Sequence, residues 1–162
     1  MPVGDINSTE RGSGARFNDG KPDLSLIPPI CLPYSGDPVH LSLLSSLYNF
    51  MYLGDGYLLV NQSSPYRKLM YKHYADCANV FSYGAKKYAP HNWVKGMKWS
   101  VPIACILRHA HKLWVEGEEN DPESGLPHVG HILCNLVMLD YYTQHYDDLN
   151  DLPFKVLHSA ST

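Results

Sequence analysis

The chain has 162 residues, a net charge of −3 and a hydrophobic share of 44%, which suits one globular domain over residues 1–162. The weak negative charge and the lack of a basic cluster argue against long nucleic acid as a partner. No apolar run is long enough to span a membrane, and the first residues do not resemble a secretion signal. We therefore expect a cytoplasmic protein.

The N-terminal part of the chain predicts little regular structure before residue 39. Residues 1–15, rich in glycine and polar side chains, predict a mobile tail, and the proline-rich residues 16–38 predict ordered irregular chain. An apolar stripe then predicts a short helix over residues 39–53. Glycines and a Ser-Ser-Pro sequence predict a loop with a brief hairpin over residues 54–65.

Three further helices are predicted, so the fold class is all-α and the architecture an irregular four-helix bundle. The second helix is predicted from about Tyr66 to Tyr83 with Gly84 as its C-cap. The third begins at Ser100, its predicted N-cap, and continues to about Glu118. The fourth spans residues 126–146. Helical spacing assigns the buried face of the second helix to Leu69, Met70, Tyr74, Cys77, Ala78 and Phe81.

The cysteines indicate a reducing compartment. Cys31, Cys77, Cys105 and Cys134 are widely spaced and form no C-x-x-C pair. Three of them fall in apolar helical patterns. We therefore interpret them as buried, reduced thiols.

The fourth helix carries polar side chains where an apolar surface is expected. His128, His131 and Asn135 follow one another at i, i+3 and i+7 in an otherwise apolar sequence, so they share one face. Buried polar groups need partners, at a cost of about 1–3 kcal/mol when they have none. The alignment is compatible with a hydrogen-bond network inside the core, but it also predicts a polar site opposite the helix.

An acidic loop precedes that helix and includes Glu116, Glu118, Glu119, Asp121 and Glu123. Such a loop is often just a solvated surface. Here it joins the third helix to the helix with the histidines, so acids and imidazoles can converge at one end of the bundle. Oxygen and imidazole ligands together favour a divalent ion such as Mg²⁺, Mn²⁺, Co²⁺ or Zn²⁺.

Cations and an aromatic side chain complete the set of candidate ligand-binding residues. Arg108 lies on the third helix, Lys86, Asn92 and Trp93 lie before it, and Asn18 and Lys21 lie near the N-terminus. Lysines on a loop are most often simply solvated. Trp93 either stacks on a nucleotide base or covers the core, and the sequence does not decide between these two roles.

Three segments resemble the phage and bacterial dATP/dGTP diphosphohydrolase family, which is similar to the wider MazG-like all-α NTP pyrophosphohydrolases. They are GARFNDGKPDLSLIPP (14–29), GAKKYAPHNWVKG (84–96) and RHAHKLWVEGEENDPESGLPHVGHILCNLVML (108–139). Residues 31–66 have no counterpart and are interpreted as an insertion. The wider group holds metal with two pairs of acids, whereas His128 and His131 stand where the second pair is expected.

The resemblance implies hydrolysis of dGTP or dATP to a monophosphate and pyrophosphate with Mg²⁺ or Mn²⁺, Co²⁺ being possible. It also implies a phage protein that acts in 2-aminoadenine nucleotide synthesis in the cytoplasm of the host cell. The resemblance further implies that the chain forms a homodimer or homotetramer. The expected catalytic residues are Glu118, Asp121 and His131. The expected metal ligands are Glu118, Glu119, Asp121, Glu123, His128 and His131. The expected substrate-binding residues are Asn18, Lys21, Lys86, Asn92, Trp93, Arg108 and Asn135.

Two alternatives remain open at the level of sequence. One is an HD-type triphosphohydrolase that releases intact triphosphate, although the chain has no His-Asp dipeptide. The other is a phage module without enzymatic activity, in which histidines and acids hold a structural metal ion.

Overall fold

The computed structural model describes residues 2–3, 10–14, 16–17, 20–55 and 65–159, and it confirms the predicted all-α class. Its α-helices are α1 (Pro38–Leu53), α2 (Pro65–Lys87), α3 (Ser100–Ala110), α4 (His128–His145) and α5 (Pro153–Ser159). Two-residue strands, β1 (Pro2–Val3) and β2 (Arg16–Phe17), pair antiparallel near the N-terminus. The predicted hairpin falls mostly on residues 56–64, and residues 1, 4–9 and 15 of the predicted tail also lie outside the described residues.

Helix α4 is the centre of the bundle, since it packs against α2 on one side and α3 on the other. Ile132, Leu133, Leu136 and Leu139 of α4 are fully buried in the hydrophobic core. Helix α1 packs against the 3-10 turn Pro29–Cys31 and against α5. Within the described residues, no helix is both long and apolar enough to cross a lipid bilayer.

Local chemistry explains where α1 begins and ends. The side chain of Asp37 accepts a hydrogen bond from the Val39 N–H at 2.8 Å, and Pro38 occupies the first helical position. Gly54 ends the helix with φ 74°, in the left-handed region. A Cβ at Gly54 would lie 2.7 Å from the Phe154 ring of α5, so this close packing also requires glycine.

Helix α2 differs from the prediction in its end and in its buried face. Gly84 is not a C-cap, because the helix continues to Lys87. Tyr74 is 69% exposed and Ala78 is exposed as well. The backbone of His73 (φ −123°, ψ 20°) breaks the helical geometry inside α2, so a face extrapolated across this residue with one constant period is misplaced.

Helix α3 also ends earlier than predicted. Its α-helical part stops at Ala110, and a π-helical turn over His111–Val115 follows. The Glu116 N–H bonds to the carbonyl of His111 at 3.1 Å, which widens the last turn and releases the chain before Glu118. Ser100 is not the N-cap; its N–H and hydroxyl instead donate to Asp151 at 2.9 and 2.5 Å.

Candidate active site

The loop between α3 and α4 is held in place by its own backbone. The Asp121 N–H donates to the carbonyl of Leu126 at 2.8 Å, and the Gly125 N–H donates to the carbonyl of Asp121 at 2.7 Å. The His128 N–H donates to the carbonyl of Glu119 at 2.9 Å. These bonds fold the loop back on itself, so its acidic side chains lie beside the first turn of α4.

Asp121 and His131 meet through Ser124. The Ser124 hydroxyl lies 3.0 Å from Oδ2 of Asp121 and 2.7 Å from Nε2 of His131. Burial alone would raise the pKa of Asp121, but hydrogen bonds from Ser124 and the nearby His131 hold it below its usual value. With Asp121 ionised, the single Ser124 proton points to the carboxylate, so His131 donates from Nε2 to the Ser124 oxygen.

Glu118, His128 and His109 form a second hydrogen-bonded chain. Oε1 of Glu118 lies 2.7 Å from Nε2 of His128, and Nδ1 of His128 lies 2.8 Å from Nδ1 of His109. An ionised Glu118 accepts the Nε2–H of His128. A neutral His128 then presents an unprotonated Nδ1, which requires His109 to carry its proton on Nδ1. The carboxylate thereby fixes the tautomers of two buried imidazoles.

His109 also joins the two chains to each other. Its ring stacks on that of His131, with centroids 4.3 Å apart and an interplanar angle of 7°. His109 was not among the site residues predicted from the sequence. A signal existed, because His109 lies on the buried face of α3 near Ile106 and Ala110, and a polar side chain on an apolar face is the same criterion that singled out His128 and His131.

These side chains line a cavity of about 730 Å³, which is within the usual range for small-molecule sites. The structure brings most of the predicted site residues to its wall. They are Lys21, Asn92, Trp93, Arg108, Glu118, Asp121, Glu123, His128 and His131, together with His109 and Lys87.

Other predicted site residues lie elsewhere. Lys86 and Glu119 are exposed, and neither lines the cavity. Asn135 is buried and donates to the carbonyl of His131 at 2.8 Å, so it supports α4 from behind the cavity wall. Asn18 falls outside the described residues.

Lys87 occupies the position that the sequence had suggested for Lys86. Its ammonium lies 3.3 Å from one oxygen of Glu123, while Lys21 lies 3.1 Å from the other. The two lysines hold the pKa of Glu123 below its usual value through hydrogen bonds. Lys86 and Lys87 are neighbours on a helix, so they point in directions about 100° apart, and only one of them can face the cavity.

Trp93 has aromatic neighbours and also borders the cavity. Its ring lies 5.5 Å from that of Phe81 and 5.3 Å, edge to face, from that of Tyr141. Its backbone carbonyl accepts the Tyr142 hydroxyl at 2.6 Å. Trp93 therefore covers the core, and part of it remains available to a ligand in the cavity.

The donor set fits a divalent cation chemically, but its members are paired with one another. Within the part of the chain that the structure describes, no three His, Cys, Asp or Glu side chains are arranged to hold a metal ion. Glu118 is bonded to His128, and Asp121 lies 3.6 Å from His131. Carboxylate and imidazole are suitable ligands for Mn²⁺ or Co²⁺, so an ion would have to replace these hydrogen bonds by coordination.

Buried imidazoles paired with carboxylates around a cavity are typical of an enzyme active site. The family model described as dATP/dGTP diphosphohydrolase, N-terminal, matches residues 61–152, which is more than half of the chain. The chain therefore belongs to the dATP/dGTP diphosphohydrolase family and is a hydrolase that acts on nucleoside triphosphates. No curated protein and no solved structure matches it significantly.

Proposed function

We propose that the chain hydrolyses dGTP and dATP between the α and β phosphates and releases a monophosphate and pyrophosphate. Membership of the family supports a deoxynucleoside triphosphate diphosphohydrolase activity. The observation that carries the proposal is the cavity in which two carboxylate–imidazole pairs lie beside Lys21, Lys87 and Arg108. That combination offers acid–base groups for a water molecule and cations for the phosphates.

We assign different roles in the reaction to different residues of the cavity. Glu118 fixes the orientation of His128 and His109, while Asp121 and Ser124 fix His131, so the imidazoles need little reorganisation to move a proton from water. A divalent ion, Mg²⁺ or Mn²⁺ with Co²⁺ also suitable, would be held by Glu118, Asp121 and His128, with His131 either as a further ligand or as the base, and would neutralise phosphate charge and acidify water. Enzymes of the NTP pyrophosphohydrolase group generally use such ions.

The remaining cavity residues suit the rest of the substrate. Arg108 and Lys21 balance phosphate charge, and Trp93 with Asn92 contacts the base or sugar. The resemblance further supports dGTP as a substrate. Its product, dGMP, would feed 2-aminoadenine nucleotide synthesis in the cytoplasm of the cell that a phage infects.

We also propose that the chain forms a homodimer or homotetramer, because α2 exposes Tyr71 and Tyr74.

The test is a product assay with dGTP, dATP and Mn²⁺ or Mg²⁺. We expect pyrophosphate and monophosphate, and we expect EDTA to abolish turnover. The double variant Glu118→Gln, Asp121→Asn removes both carboxylate charges and should lower kcat by at least about 10²-fold. Release of intact triphosphate would instead identify a triphosphohydrolase, and absence of any product would indicate a module without enzymatic activity.

A further inference from the structure

Glu123 lies between two lysines that come from distant parts of the chain. Lys21 belongs to the segment before α1, and Lys87 is the last residue of α2. Their ammonium groups approach the two oxygens of Glu123 at 3.1 and 3.3 Å. All three residues line the same cavity as the imidazoles. A single carboxylate thus occupies a place where two positive charges converge.

Lys87 is held in this place by further contacts. Its ammonium lies 5.8 Å from the centre of the Tyr83 ring and 5.5 Å from that of Tyr88, distances at which a cation is attracted to an aromatic face. Burial alone would lower the pKa of Lys87, but Tyr88 and Glu123 raise it overall. The charge is therefore present and directed into the cavity before any ligand arrives.

We propose that Lys21 and Lys87 form the binding site for the pyrophosphate end of the substrate, and that Glu123 occupies this site only until the phosphates displace it. The proposal rests on the proposed function and specifies how that site recognises its substrate. The β and γ phosphates carry most of the charge of a nucleoside triphosphate, so they compete better than one carboxylate for two ammonium groups.

Displacement of Glu123 is inexpensive. Its side chain is 51% exposed, and ion pairs with such exposure contribute little to stability because water and salt screen them. Glu123 lies inside the loop that the backbone bonds of Asp121 and Gly125 hold in place, so its side chain can turn towards solvent while Asp121 keeps its contact with Ser124. The carboxylate then acts as a competitor of the substrate rather than as a metal ligand.

Calorimetric binding of pyrophosphate to the full chain, at a fixed excess of Mg²⁺, tests the proposal with three variants. Lys87→Gln should weaken binding about tenfold or more, because it removes one charged hydrogen bond. Glu123→Gln should tighten it about two- to fivefold, the worth of an exposed ion pair. Lys86→Gln is the matched control, since it removes the same charge at the neighbouring exposed position and should change affinity less than twofold.

The proposal predicts opposite changes in pyrophosphate affinity for Lys87→Gln and Glu123→Gln. If Glu123 merely fastens the loop, Glu123→Gln will weaken pyrophosphate binding as Lys87→Gln does, and the proposal is wrong. Equal losses for Lys86→Gln and Lys87→Gln would show a nonspecific charge effect and would also overturn it. A second titration, with dGMP, tests which end of the substrate Lys87 binds. Lys87→Gln should leave the affinity for dGMP unchanged. If it weakens dGMP binding as much as pyrophosphate binding, the assignment is wrong.

Binding does not require turnover, so failures of the two proposals can be separated. Pyrophosphate binding with the expected pattern but no hydrolysis of dGTP would remove the proposed function and keep the anion site. If dGTP is hydrolysed but none of the three variants alters the affinity for pyrophosphate, the anion site is wrong and the proposed function stands. Thermal melts of each variant establish that a loss of binding does not come from unfolding.

Discussion

His109 is the residue on which the two hydrogen-bonded chains of the cavity depend. It donates to His128 from Nδ1 and stacks on His131, so it positions two imidazoles that come from another helix. Its partner His128 is only 1% exposed, and water therefore cannot replace a lost hydrogen bond at that nitrogen without rearrangement. From this arrangement we expect His109 to have both a structural and a functional role.

Replacement of His109 should separate these two roles. His109→Ala leaves Nδ1 of His128 without its donor, which should cost about 1–3 kcal/mol of unfolding free energy and lower dGTP turnover. His109→Asn restores a donor near the same place and should recover most of the stability. Urea denaturation and the pyrophosphate assay measure the two effects. His111→Ala, in the half-exposed π turn, is the control; if it destabilises as much as His109→Ala, the hydrogen-bond chain is not the cause.

Among the elements, α2 and α4 pack closely against each other at a glycine. A Cβ on Gly130 would lie 2.8 Å from the backbone oxygen of Asp76 in α2, so the two helices could not keep their present separation. Gly130 lies between His128 and His131 along α4. The close contact therefore lies in the turn of α4 that carries the two imidazoles.

Two glycine-to-alanine changes should have opposite effects. Gly130→Ala forces α2 away from α4, and such overpacking typically costs about 1–3 kcal/mol. Gly84→Ala places a methyl group inside α2 where nothing lies within 4 Å, so it should stabilise the chain by about 0.5–1 kcal/mol through helix propensity. Chemical denaturation of both variants checks this pair. If Gly130→Ala is as stable as the unchanged chain, α2 and α4 can accept a Cβ at this position and the prediction is wrong.

The long helices were predictable because periodicity and local signals agree in them. Helices α1 and α4 begin and end within two residues of the predicted bounds. The seven-residue helix α5 was missed, since so short a segment carries hardly two turns of pattern. The π turn after Ala110 and the break at His73 depend on packing and hydrogen bonding that a constant helical period does not contain.

The site was predictable in composition but not in pairing. Acids of one loop and imidazoles of the next helix had to be close, because few residues separate them. The partners from other elements are different: His109 reaches His128 across the bundle, and Lys87 rather than Lys86 faces Glu123. Which of two neighbouring lysines points inward depends on where α2 ends, and the sequence had placed that end at Gly84.

On the scale of the whole molecule, the N-terminal segment closes onto distant parts of the chain. The N–H groups of Gly12 and Gly14 donate to the carbonyls of Lys95 and Gly96 at 2.7 and 2.8 Å. Arg11 pairs with Asp148, beyond the end of α4. The 3-10 turn Leu24–Leu26 packs against α3. Lys21 thus lies between two anchored stretches, which brings its charge to a cavity built mostly by residues 80–138.

The proposed homodimer or homotetramer is also a property of the whole molecule. Tyr71 and Tyr74 are 81% and 69% exposed on α2, and large exposed side chains of this kind often lie in subunit interfaces. We expect light scattering to give the mass of a dimer or tetramer, and the double variant Tyr71→Ser, Tyr74→Ser to shift it towards one chain. The control Val156→Ser, Leu157→Ser changes exposed residues of α5. A single-chain mass at every concentration would contradict the assembly.

The unequal accessibility of the cysteines has a practical consequence. Cys31 is exposed, while Cys77, Cys105 and Cys134 are buried, and burial raises the pKa of Cys77 to about 11. A thiol-reactive dye therefore attaches to the native chain first at Cys31, beside α1 and away from the cavity. Cys105 and Cys134 line the cavity, whereas Cys77 does not, so a dye molecule that attaches to Cys77 reports an opening of the bundle.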